Sequence, residues 1–293
     1  MKSDTPYPNT VSDSSAAPQV AIEKQEKLIA CLRELGSVIV AFSGGTDSAY
    51  LASMAQRALG TRSLAITALS PSFSQYDRQH AEAFARQENL RHEFVETREF
   101  ENPAYISNAP DRCYHCKAEL FDVLAKLRAA RAFASVAYGM NADDLGDFRP
   151  GHRAAAEFGV SAPLLDAGLT KAEIRELSRR AGLATWDRPA SPCLSSRVPY
   201  GVPVTIENLS RIERAESALR AFGFRQFRVR SFGELARIEI AADELPRALA
   251  PEMAEALTGK VRETGFAQVL LDPDGYRQGS LNAALRERVN PGS

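Results

Sequence analysis

At 293 residues the chain is long enough for one large domain or two modest ones, each burying its own core. Its 44% hydrophobic and 25% charged residues are ordinary for a globular protein, and 36 basic against 37 acidic residues (formal charge −1) leave no global basic field for nucleic acid or an anionic membrane. No apolar run approaches a membrane span, and the polar N-terminus lacks a signal-peptide core, so the expected location is cytoplasmic.

Residues 1–18, rich in Ser, Pro, Ala and Asn, read as a disordered leader. A helical period over 22–35 stops at Gly36, and Ser37–Phe42 is an apolar, β-rich strand. A glycine turn leads into a helix over Ser48–Leu59. Strands are expected at Ser63–Leu69, Arg91–Glu96 and Ser135–Tyr138, with helices over Gln75–Glu88 and Tyr114–Phe133 between them. This alternation predicts an α/β fold, a doubly wound parallel sheet whose ligands bind at the carboxyl ends of the strands. Asn141–Arg153 reads as a loop over the site, and Thr170–Gly182 as a capped helix.

Residues 184–204 hold four prolines and the only tryptophan, an irregular stretch between two units. The pattern then restarts with a helix over 206–222, strands at 225–230 and 235–241, a helix over 245–264 and a strand at 267–271. The domain division predicted is 19–190 for the nucleotide domain, 191–204 for a linker, 205–285 for a smaller C-terminal α+β domain and 286–293 for a tail.

The glycine turn is Ser43-Gly44-Gly45-Thr46-Asp47-Ser48. Adjacent glycines let backbone amides reach phosphate oxygens with no Cβ in the way, and the following helix aims its positive end at the same point. The hydroxyls of Ser43, Thr46 and Ser48 are candidate phosphate donors, and Asp47 a candidate ligand for the divalent ion that accompanies ATP. It is neither a kinase-type P-loop, since no Gly-Lys-Ser/Thr closes it, nor a G-x-G-x-x-G turn.

This segment resembles the PP-loop of the N-type ATP pyrophosphatases, a superfamily that splits ATP between its α and β phosphates and adenylates an oxygen of the substrate. Gly139-Met140-Asn141-Ala142-Asp143-Asp144 is similar to a G-x-N-x-D-D element of that superfamily, which implies nucleotide or metal contacts for Gly139, Asn141 and Asp144. Three further segments narrow the likeness. They are Arg112-Cys113-Tyr114-His115-Cys116-Lys117, the run Pro192-Cys193-Leu194-Ser195-Ser196-Arg197, and Asp272-Pro273-Asp274-Gly275-Tyr276-Arg277-Gln278-Gly279-Ser280-Leu281-Asn282.

Together they resemble the LarE family, from about residue 22 to 285. The resemblance implies a HUP-like PP-loop domain, ATP with Mg2+ or Mn2+, and conversion of a carboxylate of pyridinium-3,5-biscarboxylic acid mononucleotide to a thiocarboxylate. That reaction belongs to assembly of the nickel-pincer nucleotide cofactor. The family's sulfur-bearing residue is here Cys193. An acyl adenylate calls for a soft nucleophile, which a cysteine thiolate provides, and Arg188 and Arg197 flank Cys193 in sequence and are placed to favour its thiolate.

Of four cysteines, Cys31 sits in an amphipathic stretch and reads as a small core residue. Cys113, Cys116 and Cys193 match the family's three-cysteine type, which implies a 4Fe–4S cluster; zinc with His115, or free redox thiols, are the alternatives. Arg228 and Arg230, two apart on a strand, share a face suited to a phosphate. The resemblance implies a substrate-phosphate or metal role for them with Ser196, Arg197, Glu216 and Glu239. It also implies a homo-oligomer, a hexamer, and possible work beside the other proteins of that biosynthesis. The leucine, valine and phenylalanine positions of 219–241 serve either an interface or a core. A tRNA-thiolating enzyme, an amide synthetase and a non-catalytic ATP sensor are the competing readings.

Overall fold

A computed structural model of the chain describes residues 16–146 and 150–277. Most of the expected leader, the end of the Asp272–Asn282 segment and the 286–293 tail lie outside them. The order of elements is α1 (Ala16–Glu34), β1 (Val38–Ala41), α2 (Thr46–Leu59), β2 (Ser63–Leu69), α3 (Gln75–Gln87), β3 (His92–Glu96), α4 (Pro103–Ile106), α5 (Arg112–Ala130), β4 (Ser135–Tyr138), α6 (Pro150–Glu157), α7 (Pro163–Asp166) and α8 (Lys171–Arg180). A second unit follows with α9 (Ile206–Ala221), β5 (Phe227–Phe232), β6 (Leu235–Ile240), α10 (Leu245–Leu249), α11 (Pro251–Arg262) and β7 (Gln268–Leu271).

The first four strands form one parallel sheet in the order β3-β2-β1-β4, with helices on both faces as the alternation of elements predicts. Alternation along β1 explains why it is covered on both faces. Val38 and Val40 pack with Leu28, Leu32, Leu51, Met54, Ile174 and Leu177 of α1, α2 and α8, whereas Ile39 joins Phe121, Leu124 and Ala154 of α5 and α6. From β1 the chain runs outward through β2 and β3, then returns to place β4 on the other flank. The crevice beyond the carboxyl end of β1 is therefore the topological switch point, where such sheets bind ligands.

The second unit is a three-stranded sheet, β5-β6-β7, with β5 and β6 antiparallel and β6 and β7 parallel. Its core joins Ile212 and Leu219 of α9 to Val229, Ile238, Leu257 and Phe266. Leu219, Phe227 and Val229 are thus core residues, while Phe232 is exposed. The irregular 184–204 stretch is not a free linker, because Leu194, Val198 and Val204 are buried in this second core.

Several boundaries differ from expectation. Helix α1 begins at Ala16, inside the expected leader. The single helix expected over 245–264 is broken at Ala250, which is extended (φ −58, ψ 133) because Pro251 disfavours the α region before it. The expected loop 141–153 holds a 3-10 turn at Ala142–Gly146 and the start of α6, and α4 and α7 are short helices that periodicity is too brief to reveal. Among the described residues no helix is long and apolar enough to cross a membrane.

Candidate functional site

The glycine turn sits at the switch point, and its shape depends on two glycines. Gly44 adopts φ +73, and a Cβ there would meet the Ala81 Cβ of α3 at 3.0 Å. Gly139, at the end of β4, would place a Cβ 3.0 Å from the Ser48 backbone nitrogen. The turns after β1 and β4 are therefore packed backbone to backbone. The amides at the start of α2 carry no side-chain cap, which leaves them open to an anion.

The hydroxyls of the turn have internal roles. Ser43 Oγ lies 3.0 Å from Ser48 Oγ, and Ser48 donates to the Gly45 carbonyl at 3.1 Å. Thr46 donates at 2.8 Å to the carbonyl of Thr185, tying the turn to the irregular segment. Asn141 and Asp144 are likewise buried and build their own turn: Asn141 Oδ1 accepts from the Asp143 amide, and Asp144 accepts from the Asn141 amide. These residues shape the cradle, and the contacts open to phosphate are backbone amides.

Asp47 differs. Its Oδ2 accepts from Lys171 Nζ at 3.0 Å, while its buried Oδ1 finds no hydrogen-bond partner among the described residues. A buried, unsatisfied carboxylate oxygen beside an anion cradle fits a hard divalent cation such as Mg2+. Lys171, the first residue of α8, is held by its own amide on Asp143 Oδ2. Sequence reading missed this lysine, because only the fold carries it across 124 residues to Asp47.

From Thr185 the chain runs as a strap between the two units. Arg188 donates to the Gly44 carbonyl at 2.9 Å and to Asp77 Oδ1 at 2.7 Å, and Ser191 Oγ lies 3.2 Å from Asp77 Oδ2. Arg188 is thus bonded to the glycine turn and not to Cys193, contrary to expectation. The arginines bonded to the backbone around Cys193 are Arg197, on the Cys193 carbonyl, and Arg112, on that of Ser195.

Cys113 and Cys116 lie on the first turn of α5, one turn apart, and share a charged neighbourhood with Cys193. Burial, then the Cys193 and Glu99 charges, pushes the Cys116 thiol up to about 12. Cys113 is exposed at its surface, yet crowding around its sulfur and the Cys193 charge raise it as well, against the pull of Arg112 and Lys117. Each thiolate formed here therefore opposes formation of the next. Among the described residues no three His, Cys, Asp or Glu side chains converge as ligands of one metal ion, and His115 faces Asp111 at 3.4 Å.

The far end of the strap meets the second sheet. Arg197, 2% exposed, makes a two-pronged ion pair with Glu216 (Nε–Oε1 2.8 Å, Nη2–Oε2 3.0 Å) and donates to the Cys193 carbonyl and Ser196 Oγ, both at 3.0 Å. Arg228 and Arg230 do share a face: Arg228 reaches the Ala190 carbonyl, and Arg230 the Ser196 carbonyl at 2.9 Å. Arg230 is also paired with Glu239 at 3.0 Å, which Arg237 contacts at 2.7 Å. Arg228 has no carboxylate within ion-pair distance among the described residues. Burial and the charge of Arg197 bring it down to about 10. It is a buried cation suited to an anionic group of a substrate.

Residues 26–140 match the NAD synthase family. The chain is 43% identical over 262 residues to an uncharacterised protein of Synechocystis sp., covering 89% of this chain and 98% of that one. It is 32% identical over 263 residues, again 89% of this chain and 95% of the other, to the pyridinium-3,5-bisthiocarboxylic acid mononucleotide synthase of Lactiplantibacillus plantarum. It is also 31% identical over 240 residues to an uncharacterised protein of Methanocaldococcus jannaschii, covering 82% of this chain and 90% of that one.

Proposed function

This chain belongs to the LarE family of the PP-loop superfamily, and on that premise we propose that it is an ATP-dependent sulfurtransferase acting on pyridinium-3,5-biscarboxylic acid mononucleotide. The observation that carries this reading is the strap. One continuous segment is bonded to the glycine turn through Thr185 and Arg188, bears Cys193, and ends on the arginines of the second sheet. Activation, sulfur and an anion site are thereby linked along about a dozen residues.

The residues support an economical division of work. The open amides of α2 hold the ATP phosphates, Asp47 holds the divalent ion, and Lys171 stands ready to neutralise charge on the departing pyrophosphate. A substrate carboxylate oxygen attacks the α-phosphorus, pyrophosphate leaves, and an acyl adenylate results. Sulfur at the sulfide level then bonds to the acyl carbon while the acyl carbon–oxygen bond breaks, so that AMP leaves with that oxygen and a thiocarboxylate remains. Arg228, with Arg230 beside it, suits the substrate's phosphate, which would anchor the carboxylate near Cys193.

Cys113, Cys116 and Cys193 would hold a 4Fe–4S cluster, which when bound supplies an iron site for transferable sulfur. What supports this reading is that the three thiols feel one another's charge. Pyrophosphate release measured with the biscarboxylate mononucleotide, with tRNA and with no substrate tests the assignment. Release with the mononucleotide alone is expected; release with tRNA alone would make the chain a tRNA-thiolating enzyme, and none with either would favour an ATP sensor.

A further inference from the structure

The geometry points to Arg112 as the residue that sets the spacing between Cys193 and the Cys113–Cys116 pair. This rests on the reading that the three thiols act together. Arg112 is 3% exposed, yet among the described residues no carboxylate lies within ion-pair distance of it. A buried guanidinium is ordinarily matched by an acid. Here its partners are the Asn108 side chain, the Ser195 carbonyl at 2.8 Å, the Cys113 side chain and the ring of Tyr200 at 5.7 Å.

These contacts span 83 residues of sequence and join the first turn of α5 to the strap two residues beyond Cys193. The neighbouring bonds strengthen the junction. Asn108 donates to the carbonyls of Pro199 and Val202 at 2.8 Å each, and Tyr105 Oη lies 2.7 Å from Ser195 Oγ. Arg112 sits on the cysteine-bearing helix turn and bonds directly to the cysteine-bearing strap. It also places a positive charge where sulfur anions would gather. It is a positioning residue: it acts through the thiols and their spacing.

The test uses metal-free full-length protein and dibromobimane, in which two thiolates each displace one bromide to give a cross-link. Peptide mapping separates the Cys113–Cys116 link, internal to one helix turn, from links that join Cys193 to either of them. In the wild-type protein the Cys193 links should form alongside the internal one. In Arg112→Met the Cys193 links should fall about tenfold relative to the internal link, because the two segments are no longer held together. An unchanged ratio in a folded Arg112→Met protein, checked by circular dichroism, overturns the proposal. If that variant does not fold, Arg112→Lys is read instead. It keeps the charge but loses the planar fork, so a fall of about threefold is expected and an unchanged ratio is again contrary. Failure of sulfur transfer in an activity assay leaves these cross-link ratios unaffected, so the two readings fail separately.

Discussion

Replacing Arg197 by methionine isolates the buried charge pair beneath Cys193. Glu216 is 1% exposed, and its partners are Arg197 through two bonds, the Val229 amide at 3.2 Å and Arg220 at 3.5 Å. Without Arg197 the carboxylate keeps only the weaker two. Breaking a buried pair from one side costs about 3–5 kcal/mol, since a charge is left uncompensated. For units of this size that corresponds to a fall in Tm of roughly 6–20 °C. The variant Arg197→Met with Glu216→Leu, which removes both charges, should recover most of the loss.

The pH dependence has a definite sign. Burial pushes the Glu216 carboxyl up, but Arg197, with Arg228 and Arg220, outweighs it and holds it below 4.5. Its stabilising contribution is present above 4.5 and is lost as pH falls through the folded value. The gap between wild type and Arg197→Met should therefore narrow on acidification below that value. Thermal melts followed by circular dichroism at several pH values measure all of this. A loss under about 1 kcal/mol, or a double variant no better than the single one, would refute the reasoning.

Asp47→Asn should lower pyrophosphate release by roughly 10²–10³-fold through loss of the divalent ion, whereas Lys171→Met should chiefly raise the KM for ATP; steady-state kinetics separate them. Gly139→Val forces a Cβ against the Ser48 nitrogen, so ATP binding by calorimetry should weaken while the fold loses about 1–3 kcal/mol. In the metal-free protein, the Cys116 thiol raised from 9.0 to about 12 contributes stability that is whole below pH 9 and lost as pH rises toward 12. Urea melts of Cys116→Ala should show a flatter decline over that window.

The strands and the cysteine and glycine motifs were legible because each is local: β1 is a run of apolar residues, and the C-x-x-C lies within one helix turn. Arg228 and Arg230 could be placed on one face from period two alone. Local signals could not show partners. Thr46 bonds to Thr185, Arg188 to Gly44, Lys171 to Asp47 and Arg112 to Ser195, each across more than 80 residues, and only tertiary packing brings them together. The same limit explains the misreading of Arg188 as a neighbour of Cys193. Its guanidinium is instead held by the Gly44 carbonyl and Asp77. The break at Pro251 was the exception, a local signal present in the sequence and overridden by the helical period around it.

The proposed first step is adenylation of a substrate carboxylate by ATP. Pyridinium-3,5-biscarboxylic acid mononucleotide labelled with heavy oxygen in its carboxylates, incubated with ATP, sulfide and the full chain, tests it by mass spectrometry of the nucleotide products. One labelled oxygen in AMP, none in pyrophosphate, and a pyridinium product in which sulfur replaces that oxygen are expected. Unlabelled AMP, or label appearing in inorganic phosphate, would contradict that step.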